Sequence, residues 1–565
     1  MDWIIQTFTA DTGSLKEDHC PSQHGISHEP FYRRQDDRNR FLRTPTLETP
    51  GPKGSLFSLR YILYGEFPAI MRAEAGILQR QWAKLYGTVV RAVGPFGIER
   101  VMFLSPASMQ KVLVSDWIEY PRPDYMRNIL GIVAGYGLLT VTGDEHRMMR
   151  RAMNPAFSIP SLTAQTDMYY KPIFSLVEIL KSQIKDGLDV SGNKSKARGK
   201  VIYMYDWMSK VTLDIICLTA FGYDSDSLHN PSNELAEAYH DLISLQNGRN
   251  LARIILLVSI PGAPQLLRSD WLYRHCEWLT NSKYEYLRCA GILVASMRRI
   301  KNVSAGILAE KISEASAIVA SDSTLEGKKD VMSLLVQSRI RDLGHGSEGY
   351  KMSDSMMMEQ VLTFLGAGHE TTASGLAWTL WLLATHPEVQ TRLRVEVTPV
   401  LETNPNPDFR TLRSMEYLDN VVMESLRVFP PVPMTMRKAG KGDYIDGVWV
   451  PKGTLFYIAI RVINTYKGFW GEDAEQFRPE RWTKLPEAPP APAYHPTHSF
   501  QSFIAGPHHC IGKTMAIIEM KAILAIMIAN FTFEPAFAGQ TAKPTAAVTM
   551  KPADNLPLLV RPVDL

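Results

Sequence analysis

The most specific chemistry in the chain lies near its C-terminus, in Phe503-Ile-Ala-Gly506-Pro-His508-His-Cys510-Ile-Gly512. One cysteine stands there at the end of a loop that opens into a helix from about Cys510, because Met515, Ile518, Ile523 and Ile526 recur behind it at helical spacing. The two glycines permit a tight turn and a close approach of backbone to a flat ligand. A thiolate at a helix start is stabilised by the positive end of the dipole and by free amide N–H groups. Such a sulfur is soft, anionic and electron-donating, which suits it to bind iron. A lone cysteine is more often an inert buried residue. The fixed offsets of Phe503, Gly506 and Gly512 favour the ligand reading.

Other groupings are weaker by themselves. Ala367-Gly368-His369-Glu370-Thr371-Thr372 falls within Asp354 to Thr385, a stretch that reads as one long helix stopped by His386-Pro387. A threonine there can bond its own helix backbone or a ligand. Glu370 is an ionisable neighbour able to relay protons. His146 and Arg150, four apart, share one helical face, and Glu424 and Arg427, three apart, are within ion-pair reach. Alone these would read as a Gly/Thr kink, a charged helix face and a common surface pair.

The elements that would hold these residues are mostly helical. Glu74 to Tyr86, Tyr205 to Phe221, Glu234 to Leu245 and Trp271 to Arg299 carry helical patterns. Thr88 to Val93 and Glu99 to Leu104 alternate like strands turning at Gly94 to Gly97, and Tyr444 to Tyr457 reads as a second hairpin with a Gly turn. Leu251 to Pro264 is apolar but too short to cross a bilayer; it is either buried core or, as a family resemblance would imply, an apolar loop over a channel that dips into a membrane surface.

Taken in order, the segments resemble the signatures of the cytochrome P-450 superfamily, of fungal-like microsomal type. The Cys510 window is similar to FxxGxRxCxG, with His508 where the family has arginine. Residues 367–372 resemble the (A/G)GxxTT oxygen-binding segment, His146 and Arg150 the W/HxxxR pair, Glu424 to Arg427 the ExxR pair, and Phe477 to Trp482 the FxPERF segment with Trp482 for its last Phe. The resemblance implies a mainly α fold with a small β region and haem b held between the long distal helix and the helix after the cysteine loop. It implies Cys510 as axial iron ligand. Phe503, Gly506, His508, Gly512, Gly368, His146, Arg150 and Arg437 would contact the cofactor, the last three and His508 through its propionates. Gly368 would leave room for a diatomic ligand, and Glu370 and Thr371 would be the catalytic pair. Glu424, Arg427 and Arg481 would form a buried structural network. Histidine at 508 carries a charge that varies near neutral pH, unlike arginine's.

Composition sets outer limits. The chain has 565 residues, 45% hydrophobic and 21% charged, enough to bury a large core. Lys+Arg 61 against Asp+Glu 58 is too balanced to suggest nucleic acid. The five cysteines lack CxxC spacing, so neither a disulfide framework nor a zinc site is expected, and a reducing compartment fits. Residues 1–49 read as a polar, disordered arm, ending in the Pro/Gly hinge Thr44 to Gly54, and residues 50–562 as one catalytic domain. No N-terminal stretch has the ~20 apolar residues of a spanning helix. The cytoplasmic face of the endoplasmic reticulum is the location that the resemblance implies.

The function expected by resemblance is a monooxygenase that inserts one atom of O2 into an apolar small molecule, in secondary metabolism or xenobiotic oxidation. Electrons would come from an NADPH-cytochrome reductase, with cytochrome b5 as a second donor, since no flavin or nicotinamide fingerprint is present. Arg147, Arg151 and Lys513 would offer an acidic partner a docking face. Two alternatives stay open: a reductase-independent haem-thiolate isomerase or dehydratase, and a non-catalytic haem protein that binds gas. Substrate contacts are expected from Tyr136 to Leu139, residues 245–265, Val361 to Leu365, Val432 to Met436 and Val548 to Pro552.

Overall fold

The computed structural model describes residues 49–52, 59–186, 199–230, 232–245, 248–320, 330–336, 352–485, 494–545 and 548–563. Almost all of the N-terminal arm and the polar stretches 187–198 and 321–329 lie outside the described residues. Strand β1 (Val89–Val93) and β2 (Glu99–Phe103) pair antiparallel, Val89 opposite Phe103. Alternate β1 side chains are buried, as one-sided packing requires. Then come α1 (Asp124–Ala134), α2 (Gly143–Met153), β3 (Lys200–Tyr203) and α3 (Met204–Phe221). They are followed by α4 (Glu234–Ser244), α5 (Gly248–Val258) and α6 (Glu285–Ala320).

The centre is α7 (Asp354–Thr385), started by Ser353, whose hydroxyl accepts from the Met356 N–H at 3.2 Å. Its buried residues run round the whole circumference, so other elements cover it on every side. Helix α8 (Glu416–Val428) and the strands β4 (Thr435–Lys438), β5 (Asp443–Ile445), β6 (Val448–Val450) and β7 (Leu455–Ile458) follow. Helix α9 (Lys513–Asn530), also buried on most sides, leads into β8 (Phe531–Pro535) and β9 (Pro557–Pro562). The larger sheet has the order β1-β2-β7-β4, with β2 and β7 parallel; β3-β9-β8 and β5-β6 form smaller ones. The expectation of a mainly α fold with a small β region is met.

Local readings differ in four places. Leu251 to Pro264 is no loop: α5 occupies its first half, and Ala263–Leu267 is a further short helix. Trp271 to Arg299 is broken, because Asn281-Ser282-Lys283 interrupts it before α6. The helix behind the cysteine starts at Lys513, with Cys510 to Gly512 forming a turn ahead of it. Tyr444 to Tyr457 is not one hairpin: β5 and β6 pair across Asp446-Gly447, with φ of 47° and 75°, the Asp-Gly turn that matches strand twist, while β7 joins the larger sheet.

Candidate functional site

A cavity of about 1820 Å³ lies between α7 and the loop that precedes α9. Cys510, Phe503, His508 and Gly512 border it on one side, and Gly368, Glu370 and Thr371 on the other. The cysteine loop is fixed by its own backbone: the Cys510 N–H donates to the Phe503 carbonyl and the His509 N–H to the Gly506 carbonyl, both at 2.9 Å. Gly506 has φ of 76°, and a Cβ there would fall 1.9 Å from the Leu113 carbonyl oxygen, so only glycine fits. Gly512 is different. A Cβ on it would meet nothing within 4 Å, which leaves a bare strip of backbone beside the cavity.

Cys510 is open to the cavity; desolvation by the surrounding protein pushes its thiol up, opposed by the Gly512 N–H, Arg150 and Lys513. An amide N–H thus favours the thiolate as expected at a helix start, although the helix itself begins three residues later. A coordinated metal ion deprotonates a thiol outright.

Basic groups gather at one rim of the cavity. The Arg437 side chain is buried; Nη1 donates to the Met436 carbonyl at 2.8 Å and Nη2 has no partner among the described residues. Arg122 Nη1 and His146 Nδ1 are buried and equally unpartnered. The His146 ring packs on His508 at 3.9 Å between centroids, and Trp117 meets both edge-on. Burial, then Arg122, His146, Arg437 and Arg150, pushes His508 down to about 2, and burial with Arg122 foremost among the charges pushes His146 down to about 4. Neutral rings result, in contrast with the charge variation near neutral pH that histidine at 508 suggests; an anion set among these groups would act in the opposite sense. Unpaired buried donors cost roughly 1–3 kcal/mol each and more when charged, so the cluster suits a ligand with carboxylates.

Other expected residues are placed less simply. Arg150 Nη1 donates to the His509 carbonyl at 2.6 Å, its Nη2 lies 2.8 Å from His509 Nε2, and its Nε donates to Asn154 at 3.0 Å. Its fork therefore braces the cysteine loop instead of joining the unpartnered cluster. Gly368 borders the cavity, yet a Cβ on it would lie 2.7 Å from Ile216 Cγ1, so its bareness lets α3 approach α7 closely. Thr371 Oγ1 donates to the Ala367 carbonyl at 2.8 Å. The buried Glu370 carboxylate accepts from Thr549 Oγ1 in the C-terminal loop.

Behind the loop, Glu424 receives two parallel bonds from Arg427, at 2.7 and 2.8 Å. Arg481 Nε donates to it at 3.2 Å, and the indole N–H of Trp482 at 3.0 Å. The remaining Arg427 and Arg481 donors reach carbonyls of Asn464, Ala474, Gln476, Trp470 and Asp473. A buried ion network persists only when satisfied to this degree. Arg122 was not among the expected site residues; its one visible signal is the Pro121-Arg122-Pro123 frame that stiffens it. Leu138, Phe364, Val432 and Val548 line the cavity as expected, as do Leu251 and Ile255 of α5. Among the described residues no cluster of three or more His, Cys, Asp and Glu could hold a metal ion, so a metal here depends on Cys510 and a ligand of its own.

The family model described as Cytochrome P-450 matches residues 58–265 and 286–558. Cytochrome P-450 monooxygenase 205 of Postia placenta is 31% identical over 548 residues, covering 92% of this chain and 93% of the relative. Cytochrome P-450 monooxygenase sphH of Aspergillus fumigatus is 28% identical, covering 92% and 89%. Ganoderic acid synthetase CYP5150L8 of Ganoderma lucidum is 29% identical, covering 88% and 89%. A match along nearly the whole length, on a fold that sets a lone cysteine loop across a cavity from a long central helix, has one explanation: this chain belongs to the cytochrome P-450 family of monooxygenases, as its fungal relatives do.

Proposed function

We propose that the protein is a haem b-dependent monooxygenase that hydroxylates or epoxidises a large apolar small molecule of secondary metabolism, with Cys510 as the axial ligand. The observation that carries this reading is the set of unpartnered buried donors on Arg437, Arg122 and His146, on the same cavity as Cys510 and the bare edge of Gly512. Two propionates would satisfy them, and the Gly512 strip would let a flat ring lie close. When bound, the haem supplies reductive activation of O2 and oxidation of the substrate.

The chain's own residues do the rest. Cys510 offers its sulfur from a loop held by Gly506 and Arg150. Thr371 and Glu370 hold and move protons on the opposite wall. The apolar lining of Leu138, Phe364, Val432 and Ile255 binds the substrate and excludes water. Electrons come from an NADPH-cytochrome reductase, which docks on the exposed Arg147, Arg151 and Lys513. No helix among the described residues is long and apolar enough to cross a membrane, but Leu256, Ile260 and Leu266 project from the α5 region with about half of each side chain exposed. They supply contact with a membrane surface.

The test is reconstitution with the reductase, NADPH and isotopic O2 against a panel of terpenoids, fatty acids and polycyclic aromatics. Products carrying one labelled oxygen are expected, formed only with NADPH. Product formed without the reductase, or haem binding with no turnover of any kind, would overturn the proposal.

A further inference from the structure

Glu370 is tied to the C-terminal loop, while Thr371 bonds within its own helix. The Glu370 carboxylate is held by Thr549, in a loop pinned to α7 through the Met550 carbonyl, which accepts from Ser374 Oγ at 2.8 Å and Trp378 Nε1 at 2.5 Å. Two residues beyond Thr549, the half-buried Lys551 donates to the Ile243 carbonyl of α4 at 3.1 Å and lies 5.6 Å from the centre of the Tyr205 ring of α3. Beside Tyr205, the half-buried Asp206 accepts from Asn555 Nδ2 at 3.0 Å, and His240 stands exposed on α4.

Three polar atoms round this path are buried without a partner among the described residues: the hydroxyls of Tyr205 and Tyr239, and Nε2 of His369. Tyr239 packs edge-on to His369, 4.5 Å between centroids. Orphaned polar groups at such a density call for internal water, since each left dry costs roughly 1–3 kcal/mol. The groups also sense one another. After burial, the charge of Glu370 helps to raise both phenols, and Glu370 and Asp206 oppose the burial that lowers Lys551.

We propose that a hydrated polar channel leads from the surface at Asp206 and His240, past Lys551 and the hydroxyls of Tyr205 and Tyr239, to Glu370, and that Lys551 and Thr549 are positioning and relay residues supplying protons to the distal wall. The inference rests on the monooxygenase reading. Each turnover converts RH, O2, two protons and two electrons into ROH and water, with the electrons drawn from NADPH through the reductase. Glu370 gives up a proton toward the cavity and takes one, through water, from the Lys551 ammonium. Lys551 is then reprotonated from the Asp206 side, which is open to solvent.

The test compares holoenzyme with Lys551→Met, Lys551→Arg and Thr549→Val, using reductase and NADPH with O2 itself as probe. The Lys551→Met protein should keep the carbon monoxide spectrum of the parent. Its O2 consumption should fall about tenfold to a hundredfold, with a larger share released as hydrogen peroxide and a larger solvent deuterium isotope effect. Lys551→Arg should recover part of the rate, and Thr549→Val should resemble Lys551→Met more weakly. An unchanged rate and isotope effect in Lys551→Met would overturn the channel while leaving the monooxygenase reading intact. If the parent itself lacks a thiolate spectrum, the monooxygenase reading fails, and a crystal structure with ordered solvent then decides the channel. Waters on the Tyr205 and Tyr239 hydroxyls and on His369 Nε2 are expected, and a dry contact there would overturn it.

Discussion

Gly506 and Gly512 flank Cys510 and perform different tasks. Gly506→Ala forces a Cβ onto the Leu113 carbonyl at a positive φ, and should lower stability by about 3 kcal/mol or more, read as loss of folded protein in a thermal melt. Gly512→Ala meets no protein atom, so the polypeptide should melt within about 1 kcal/mol of the parent while haem occupancy falls. Equal effects of the two would contradict the assignment of Gly512 to the cofactor. At the rim, Arg437→Ala or Arg122→Ala removes a charged donor worth about 1.5–3 kcal/mol, and should speed haem transfer to an apo-globin by about tenfold to a hundredfold. His369 gives a pH signature. Burial lowers it to about 4, whereas the unfolded chain has an ordinary imidazole, so the unfolded state binds more protons between about pH 4 and 6.5. Its contribution is fully present above that window and is lost as pH falls through it, up to about 3 kcal/mol. His369→Gln should therefore lose less stability than the parent on acidification, measured as denaturation midpoints at pH 7 and pH 4.5. Parallel loss in both would refute this.

At the scale of elements, the cysteine loop and the distal helix were legible in the sequence because each has fixed side-chain offsets. Bounds and orientations were less so. Nothing in the one-dimensional pattern shows that Arg150 turns onto His509, that Gly368 faces Ile216, or that Arg122 reaches the same rim from far upstream, since each depends on tertiary approach. The apolar run at 251–264 is broken only by Arg253 and Ser259, too few polar residues to mark a helix face, and its amphipathic sense appears once the cavity and solvent sides are known. Trp482 is the instructive departure. Its indole donates to the buried Glu424, a bond that the family's phenylalanine cannot make. Trp482→Phe should cost about 1 kcal/mol, because Arg427, Arg481 and the Arg478 N–H still satisfy the carboxylate. Glu424→Gln should cost about 3–5 kcal/mol by stranding the two arginines. A thermal melt orders the two, and reversal of that order would sink the network account.

At the scale of the whole molecule, the proposed function assigns two surfaces to partners. Reversing charge at Arg147 and Arg151 should slow reduction by the reductase about tenfold, with the haem spectrum unchanged, because exposed charges steer association more than they stabilise the fold. Normal reduction of that variant would remove the docking assignment. The exposed Leu256, Ile260 and Leu266 should be replaceable by serine without loss of folding, while binding to phospholipid vesicles falls about tenfold. Vesicle binding equal to that of the parent would place membrane contact elsewhere.

The monooxygenase assignment requires that Cys510 ligate haem iron as a thiolate. The carbon monoxide difference spectrum of the dithionite-reduced protein measures this directly. A Soret band near ~450 nm, lost in Cys510→Ser, is the predicted result. A band near ~420 nm in the parent, or a spectrum indifferent to that substitution, would contradict it.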